Sequence, residues 1–148
     1  MTIGKKPMGN LTNVVKLRGG DTEKMTINVG VVDLGQIDLL VQEGFYSNRS
    51  DLIRTAIRMQ LQHHVDTVKQ TVARRTLAVG LQHYSVGDLQ RIQAAGQTLR
   101  IQALGLVRIA ADVSPKLARA TIESVSVLGA FQCSEPVRDV LADRISNS

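Results

Sequence analysis

The chain has 148 residues, of which 43% are hydrophobic and 21% charged, a composition typical of a folded globular protein and not of a disordered one. It carries a net charge of +5 but only four aromatic residues, which disfavours binding of single-stranded nucleic acid because that mode relies on stacking bases against aromatic side chains. The lone cysteine, Cys133, rules out an internal disulfide, and the absence of an apolar run of bilayer length leads us to expect a cytoplasmic protein.

The positive charge is concentrated in the N-terminal half of the chain. Residues 1–75 hold eleven Lys/Arg against seven Asp/Glu, whereas residues 76–148 hold seven against six, a bias that suits a polyanionic partner. Within this half, residues 1–23 combine four glycines, one proline and four basic residues without periodicity, which predicts a flexible basic arm. The arm either lies along DNA phosphates or is a solvated tail, and both interpretations stay open.

A strand and a short helix are predicted next. Apolar residues alternate with polar or small ones from Lys24 to Val31, the pattern of a strand with one covered face; they are Met25, Ile27, Val29 and Val31. A short amphipathic helix follows, on the helically spaced Leu34, Ile37, Leu40 and Val41. It should end near Glu43-Gly44, because glycine readily takes the left-handed conformation that closes a helix.

A turn and a longer helix complete the first half. Residues 47–51 (Ser-Asn-Arg-Ser-Asp) supply N-cap candidates, and an apolar stripe then runs from Leu52 to Leu61. This helix is expected to reach about His64. A continuation along Val65, Val68 and Val72 stays open.

The second half contains an internal repeat. Residues 101–106 (IQALGL) align with residues 125–130 (VSVLGA) at an offset of 24, and residues 77–81 (LAVGL) form a looser copy about 25 residues earlier. Each copy precedes a polar cap and a helical segment, predicted at Ser85–Gln97, Ser114–Ser124 and Ser134–Ile145. This order predicts stacked β–α repeats, or a solenoid. The alternative is a small α/β sheet whose strands merely resemble one another.

The predicted N-terminal strand has no partner nearby, because the segments that follow it in the first half are helical. A short strand with both edges unpaired is not stable, so we expect two chains to pair these strands antiparallel about a two-fold axis. The shared ribbon would cover the helices with its apolar face and display Lys24, Thr26 and Asn28 from both chains. A ribbon of this width fits the DNA major groove, where such side chains read base edges.

The predicted turn adds a phosphate-binding element. Free backbone amides at a helix N-terminus bind phosphate, and the second helix is expected to begin at Asn48, Arg49 and Ser50, with Ser47 in the same cap and Arg54 adding positive charge. Base-reading and phosphate-positioning contacts, the two classes that DNA recognition requires, would therefore lie in one stretch. The structural alternatives are a plain helix cap and the solvated side of an edge strand.

The turn GFYSNRS at residues 44–50, followed by Asp51-Leu52-Ile53-Arg54, is similar to the signature GYxNRSExIR. On this motif and the spacing from strand to turn, residues 24–64 resemble the ribbon-helix-helix superfamily of Arc-, MetJ- and CopG-type repressors. The resemblance implies base contacts by Lys24, Thr26 and Asn28, and phosphate contacts by Asn48, Arg49 and Ser50. The chain departs from the family after the strand, where Gly30-Val31-Val32 replaces the usual proline or acidic residue, and this leaves the strand end open.

No catalytic motif stands out, so neither an enzymatic activity nor a cofactor is expected. Nickel-responsive regulators share the N-terminal module, but here His63 and His64 point to different sides of a helix, and His83 and Cys133 are not grouped with them, so no metal site is predicted. Cys133 is expected to pack in the core. The nearly neutral second half is expected to form oligomers that hold neighbouring DNA sites with avidity.

The prediction is an α+β protein with three parts: the arm at 1–23, a ribbon-helix-helix DNA-binding and dimerisation domain at 24–75, and a small repeat-like α/β oligomerisation domain at 76–148. We expect a sequence-specific repressor that binds double-stranded DNA as a homodimer or a higher oligomer. Two alternatives remain. One is an antitoxin with a toxin as its partner, and the other is a self-assembling scaffold docked on DNA, as in plasmid maintenance or transfer.

Overall fold

The computed structural model describes residues 21–146 of the chain, so most of the predicted basic arm lies outside the described residues. The described chain falls into two compact units, Lys24–Arg74 and residues 75–146 together with residues 21–23. Helices and strands both occur, which confirms the predicted mixed fold class. Over residues 21–146, no helix is long and apolar enough to span a membrane.

The first unit contains three helices: α1 (Val31–Gln42), α2 (Arg49–His63) and α3 (Val65–Arg75). The predicted stop after α1 is confirmed, since Gly44 has φ +82° and the amides of Gly44 and Phe45 donate to the carbonyls of Val41 and Leu40. These two bonds form a Schellman motif, which satisfies the last carbonyls of a helix. The long second helix breaks at His64 and resumes as α3.

The segment Lys24–Gly30 has no strand pairing and no helix within the described single chain. The strand predicted from Lys24 to Val31 therefore stays a prediction for residues 24–30, and its last residue was wrong, because Val31 is already the first residue of α1. This helix also begins three residues earlier than the apolar spacing from Leu34 suggested. Val31 and Val32 are β-branched residues, which favour strands, but both are helical and exposed here. The amide of Leu34 donates to the carbonyl of Gly30, and this hydrogen bond closes the first turn of α1.

The second unit is a parallel four-stranded sheet with the strands in chain order, β1 (Ala78–Tyr84), β2 (Leu99–Ile109), β3 (Ile122–Gln132) and the two-residue β4 (Ile145–Ser146). Helices α4 (Val86–Ala94), α5 (Pro115–Thr121) and α6 (Glu135–Leu141) connect them, and a 3₁₀ turn (Ala142–Arg144) precedes β4. Parallel neighbours need such crossover connections.

The strand register matches the sequence repeat. Ile101 pairs with Val125 and Gly105 with Gly129 at the offset of 24, while Gly80 pairs with Gly105 at the offset of 25. Gly80, Gly105 and Gly129 therefore stand in one row across three strands, each with φ between +111° and +135°. A Cβ added to Gly105 would lie 2.2 Å from the carbonyl oxygen of Gly80, so this close strand approach requires glycine.

All three crossover helices pack on one face of the sheet. Their apolar side chains join those of β2 and β3 in a single buried core, which includes Leu89, Ile92, Leu117, Val137 and Leu141 from the helices and Leu99, Ile101, Val107, Ile122 and Val125 from the strands. The predicted caps are confirmed, since the side chains of Ser85, Ser114 and Ser134 each accept a backbone N–H at the start of a helix.

The predicted helix ends in this unit were too late. α5 ends at Thr121 and Ile122 begins β3 at once, so residues 122–124 are strand and not helix. α6 ends at Leu141, and Ile145 lies in β4, a strand that the repeat pattern did not reveal. Cys133, one residue after β3, is half-buried against the core, and burial raises the pKa of its thiol.

Candidate nucleic-acid interface

The first unit has almost no core of its own. None of the residues in α1, α2 or α3 is buried. Among the described residues, twelve of the thirteen exposed large hydrophobic side chains belong to this unit: Met25, Ile27, Val29, Val31, Val32, Leu39, Leu40, Phe45, Ile57, Met59, Leu61 and Val68. Such a concentration of exposed apolar side chains is typical of an interaction site.

The predicted base-contacting residues lie on the segment that leads into α1. Lys24, Thr26 and Asn28 are exposed. Their apolar neighbours are exposed as well, with Met25 at 73% and Ile27 at 54%. Both sets of side chains on the alternating segment are thus accessible in a single chain, the apolar set and the polar set alike.

The predicted turn forms a well-defined start of α2. The side-chain oxygen of Asn48 accepts a hydrogen bond from the amide of Asp51 at 2.8 Å, and the Asp51 carboxylate accepts one from the amide of Ser47 at 3.0 Å. These bonds fix the turn from both sides. The backbone amides of Arg49 and Ser50 find no acceptor among the described residues, so two donors at the positive end of a fifteen-residue helix point to solvent.

Arg49 is held by an acidic side chain that the sequence did not single out. Its Nε and Nη2 donate to the two carboxylate oxygens of Asp38 on α1 at 2.7 and 2.8 Å. This bidentate pair lowers the pKa of Asp38, mainly through the hydrogen bond from Arg49. Since the pair joins residues eleven positions apart across a turn, no helical or strand spacing could have indicated it.

The structure therefore places the predicted phosphate-contacting residues at the start of α2. Ser47, Asn48, Arg49 and Ser50 are exposed and surround the first turn of α2, and Arg54 is exposed one turn further along. The guanidinium of Arg49 remains 57% exposed while it contacts Asp38. It can therefore approach an anion beside the free amides without leaving its carboxylate partner.

The histidines and the cysteine do not assemble into a ligand set. Within residues 21–146, no group of three or more His, Cys, Asp or Glu side chains is placed to hold a metal ion. His64 lies at the break between α2 and α3, where its Nε2 is 3.3 Å from the side-chain nitrogen of Gln60. His83 belongs to β1 in the other unit.

Comparison with known proteins gives one match. A model described as the ribbon-helix-helix transcriptional regulator family matches residues 20–138, so it covers both units. No curated protein and no solved structure matches the chain.

Proposed function

The chain belongs to the ribbon-helix-helix transcriptional regulator family, and on this premise we propose that it represses transcription as a homodimer that reads the DNA major groove. In this proposal the Lys24–Gly30 segments of two chains pair antiparallel into one ribbon. The apolar face of the ribbon covers the helices, and its polar face enters the groove.

The observation that carries the proposal is the exposure of the apolar side chains in the first unit. Its helices bury no residue on their own, yet twelve large hydrophobic side chains are exposed there. Burying a side chain of this size contributes about 1.5–3 kcal/mol. Covering half of them would contribute on the order of 10 kcal/mol per chain, before the conformational entropy that ordering removes. A second copy of the unit offers a matching apolar surface.

In this proposal one set of groups contacts the DNA bases and another contacts the phosphates. Thr26 and Asn28 read base edges from the ribbon, with Lys24 at its end reaching guanine acceptors or phosphate. The free amides of Arg49 and Ser50 hold a phosphate at the start of α2, and Arg54 adds charge beside it. Asp38 supports this site, because its carboxylate orients the Arg49 side chain.

The folded second unit favours a repressor over an antitoxin. Antitoxins of this kind usually have toxin-wrapping tails that are disordered alone, whereas residues 78–146 form a parallel sheet with a helix-covered core.

The second unit is also proposed to join ribbon dimers into larger assemblies. The outer edge of β1 is the surface best suited to this, since none of the described strands pairs with it. Sedimentation of the full chain as a dimer at every concentration would remove this part of the proposal.

The test is selection of preferred DNA duplexes from a random pool, followed by binding measurements on the most enriched site. Thr26→Ala and Asn28→Ala should each weaken binding to that site by about 1–3 kcal/mol and leave binding to random DNA almost unchanged. Gln90→Ala, an exposed residue of α4 in the other unit, is the matched control and should bind as the parent does. A strong salt dependence without any enriched sequence would instead support the scaffold alternative.

A further inference from the structure

Helix α3 has no packing partner in the part of the chain that the structure describes. None of its residues is buried, and no other described helix or strand packs along it. Isolated helices shorter than about 12–15 residues are marginal in water, and β-branched residues lower helix propensity further. α3 has eleven residues, of which five are β-branched: Val65, Thr67, Val68, Thr71 and Val72. The helix therefore needs a contact that the described single chain does not supply.

The apolar residues of α3 form one narrow stripe. Leu61, near the end of α2, is followed by Val65, Val68 and Val72 at intervals of four, three and four residues. This is the spacing of a seam along which two helices pack. Val68, in the middle, is 40% exposed. We call Val65, Val68 and Val72 the α3 stripe, and it contains no charged residue.

The α3 stripe continues an exposed apolar surface of α2, on which Ile57 and Leu61 lie. The interruption between the two helices is small. The amide of His64 donates to the carbonyl of Leu61 at 3.0 Å, and the amide of Val68 donates to the carbonyl of His64 at 2.9 Å. The backbone therefore stays in hydrogen-bonded turns from α2 into α3, and a partner that packs on Ile57 and Leu61 lies next to the α3 stripe.

We propose that α3 packs against α3 of a second copy of the chain, with Val68 of each copy near the centre of the contact. The inference rests on the proposed homodimer, in which the second copy covers the exposed side chains of α2. A two-fold axis presents the same stripe from both chains, so the contact is apolar on both sides and buries no charge. The dimer contact then extends beyond residues 24–64, the stretch that resembles the superfamily.

Disulfide crosslinking in the full-length chain tests the contact. Cys133, the single cysteine, is changed to Ser, and Val68→Cys is oxidised under mild conditions. Gln70→Cys is the matched control, because residue 70 is exposed and lies roughly 200° around the helix from residue 68. We expect Val68→Cys to form linked dimers about tenfold faster or more, since a disulfide requires Cα atoms within about 7 Å of each other. Equal rates in the two variants would overturn the proposal.

Sedimentation of the same two variants under reducing conditions separates this inference from the proposed function. If both are dimers and Val68→Cys links no faster than Gln70→Cys, the α3 contact is wrong and the homodimer stands. If the full chain is a monomer at every concentration, the homodimer is wrong and the α3 contact is wrong with it.

Charge placed in the stripe gives a second, independent readout. Val68→Asp with Val72→Asp should raise the dissociation constant of the dimer about tenfold or more, because like charges would be buried facing each other. Gln70→Asp with Ala73→Asp adds the same charge at a similar depth in the helix, on exposed positions away from the stripe. This control should change the constant by about twofold at most. An unchanged constant in the Val68/Val72 variant would contradict the proposal.

Discussion

The row of glycines across the sheet allows a matched set of three substitutions. Gly80, Gly105 and Gly129 all have positive φ, between +111° and +135°, so alanine is strained at each by about 1–3 kcal/mol. Only two of them also face a neighbouring backbone. A Cβ on Gly80 would meet nothing within 4 Å, whereas a Cβ on Gly105 or Gly129 would lie 2.2 or 2.1 Å from the carbonyl oxygen of the preceding strand.

The extra cost at the two facing positions follows from this distance. To move from 2.2 Å to the shortest tolerable contact of 3.0 Å, β1 and β2 must separate locally by roughly 0.8 Å, which lengthens their ladder hydrogen bonds beyond the normal range. Weakening two such bonds and overpacking the interface together cost about 2–4 kcal/mol. Gly105→Ala and Gly129→Ala should therefore each be destabilised by about 3–7 kcal/mol, and Gly80→Ala by the strain alone, about 1–3 kcal/mol.

Urea unfolding measures these differences, with hydrogen exchange of the β1–β3 amides as the local probe, because the two units need not unfold together. Thermal midpoints should fall by about 3 °C for each kcal/mol in a chain of this size. If all three alanine variants lost the same stability within about 0.5 kcal/mol, the facing carbonyls would play no part and the reasoning would be wrong.

Three further predictions concern single side chains. Asn48→Ala removes the cap of α2 and should destabilise the chain by about 1 kcal/mol in urea unfolding, whereas Asn48→Ser should retain most of the stability. The hydrogen bond from Arg49 lowers the pKa of Asp38, so its stabilising effect is complete above the ordinary pKa of 3.8 and is lost as the pH falls below it; a carboxyl NMR titration should show this depressed pKa returning to normal in Arg49→Gln. Burial, with a smaller contribution from the Asp88 charge, raises the pKa of Tyr84 to about 12. The folded state then holds the phenolic proton more tightly than the unfolded state, so stability falls as the pH rises from 10 towards 12, and Tyr84→Phe should abolish the matching step in an absorbance titration.

The parts of the fold that sequence predicted are those governed by local rules. Gly44 ends α1 because of its own conformational freedom, and Ser85, Ser114 and Ser134 begin their helices because a serine oxygen can accept an amide of the following turn. The internal repeat also agrees with the strand register, since the paired strands place equivalent residues of neighbouring copies side by side.

The parts that sequence missed depend on tertiary context or on exceptions to pattern. The ion pairs of Asp38 with Arg49 and of Asp21 with Arg108 join residues 11 and 87 positions apart, which no periodicity indicates. Residues 122–124 follow α5 without any breaker, so their strand conformation comes from pairing with β2. The two-residue β4 is too short to leave a period-2 signature.

The turn between α1 and α2 is closed at both ends, by the Schellman bonds after Gln42 and by the Asn48 cap, and the Asp38–Arg49 pair ties the two helices together across it. Such a joint leaves the start of α2 little freedom to shift. In the proposed dimer, the two helix starts would consequently sit at one set separation, and the protein would dictate the spacing of the operator half-sites. Lengthening an operator by half a helical turn between its half-sites should then leave one phosphate contact unmade.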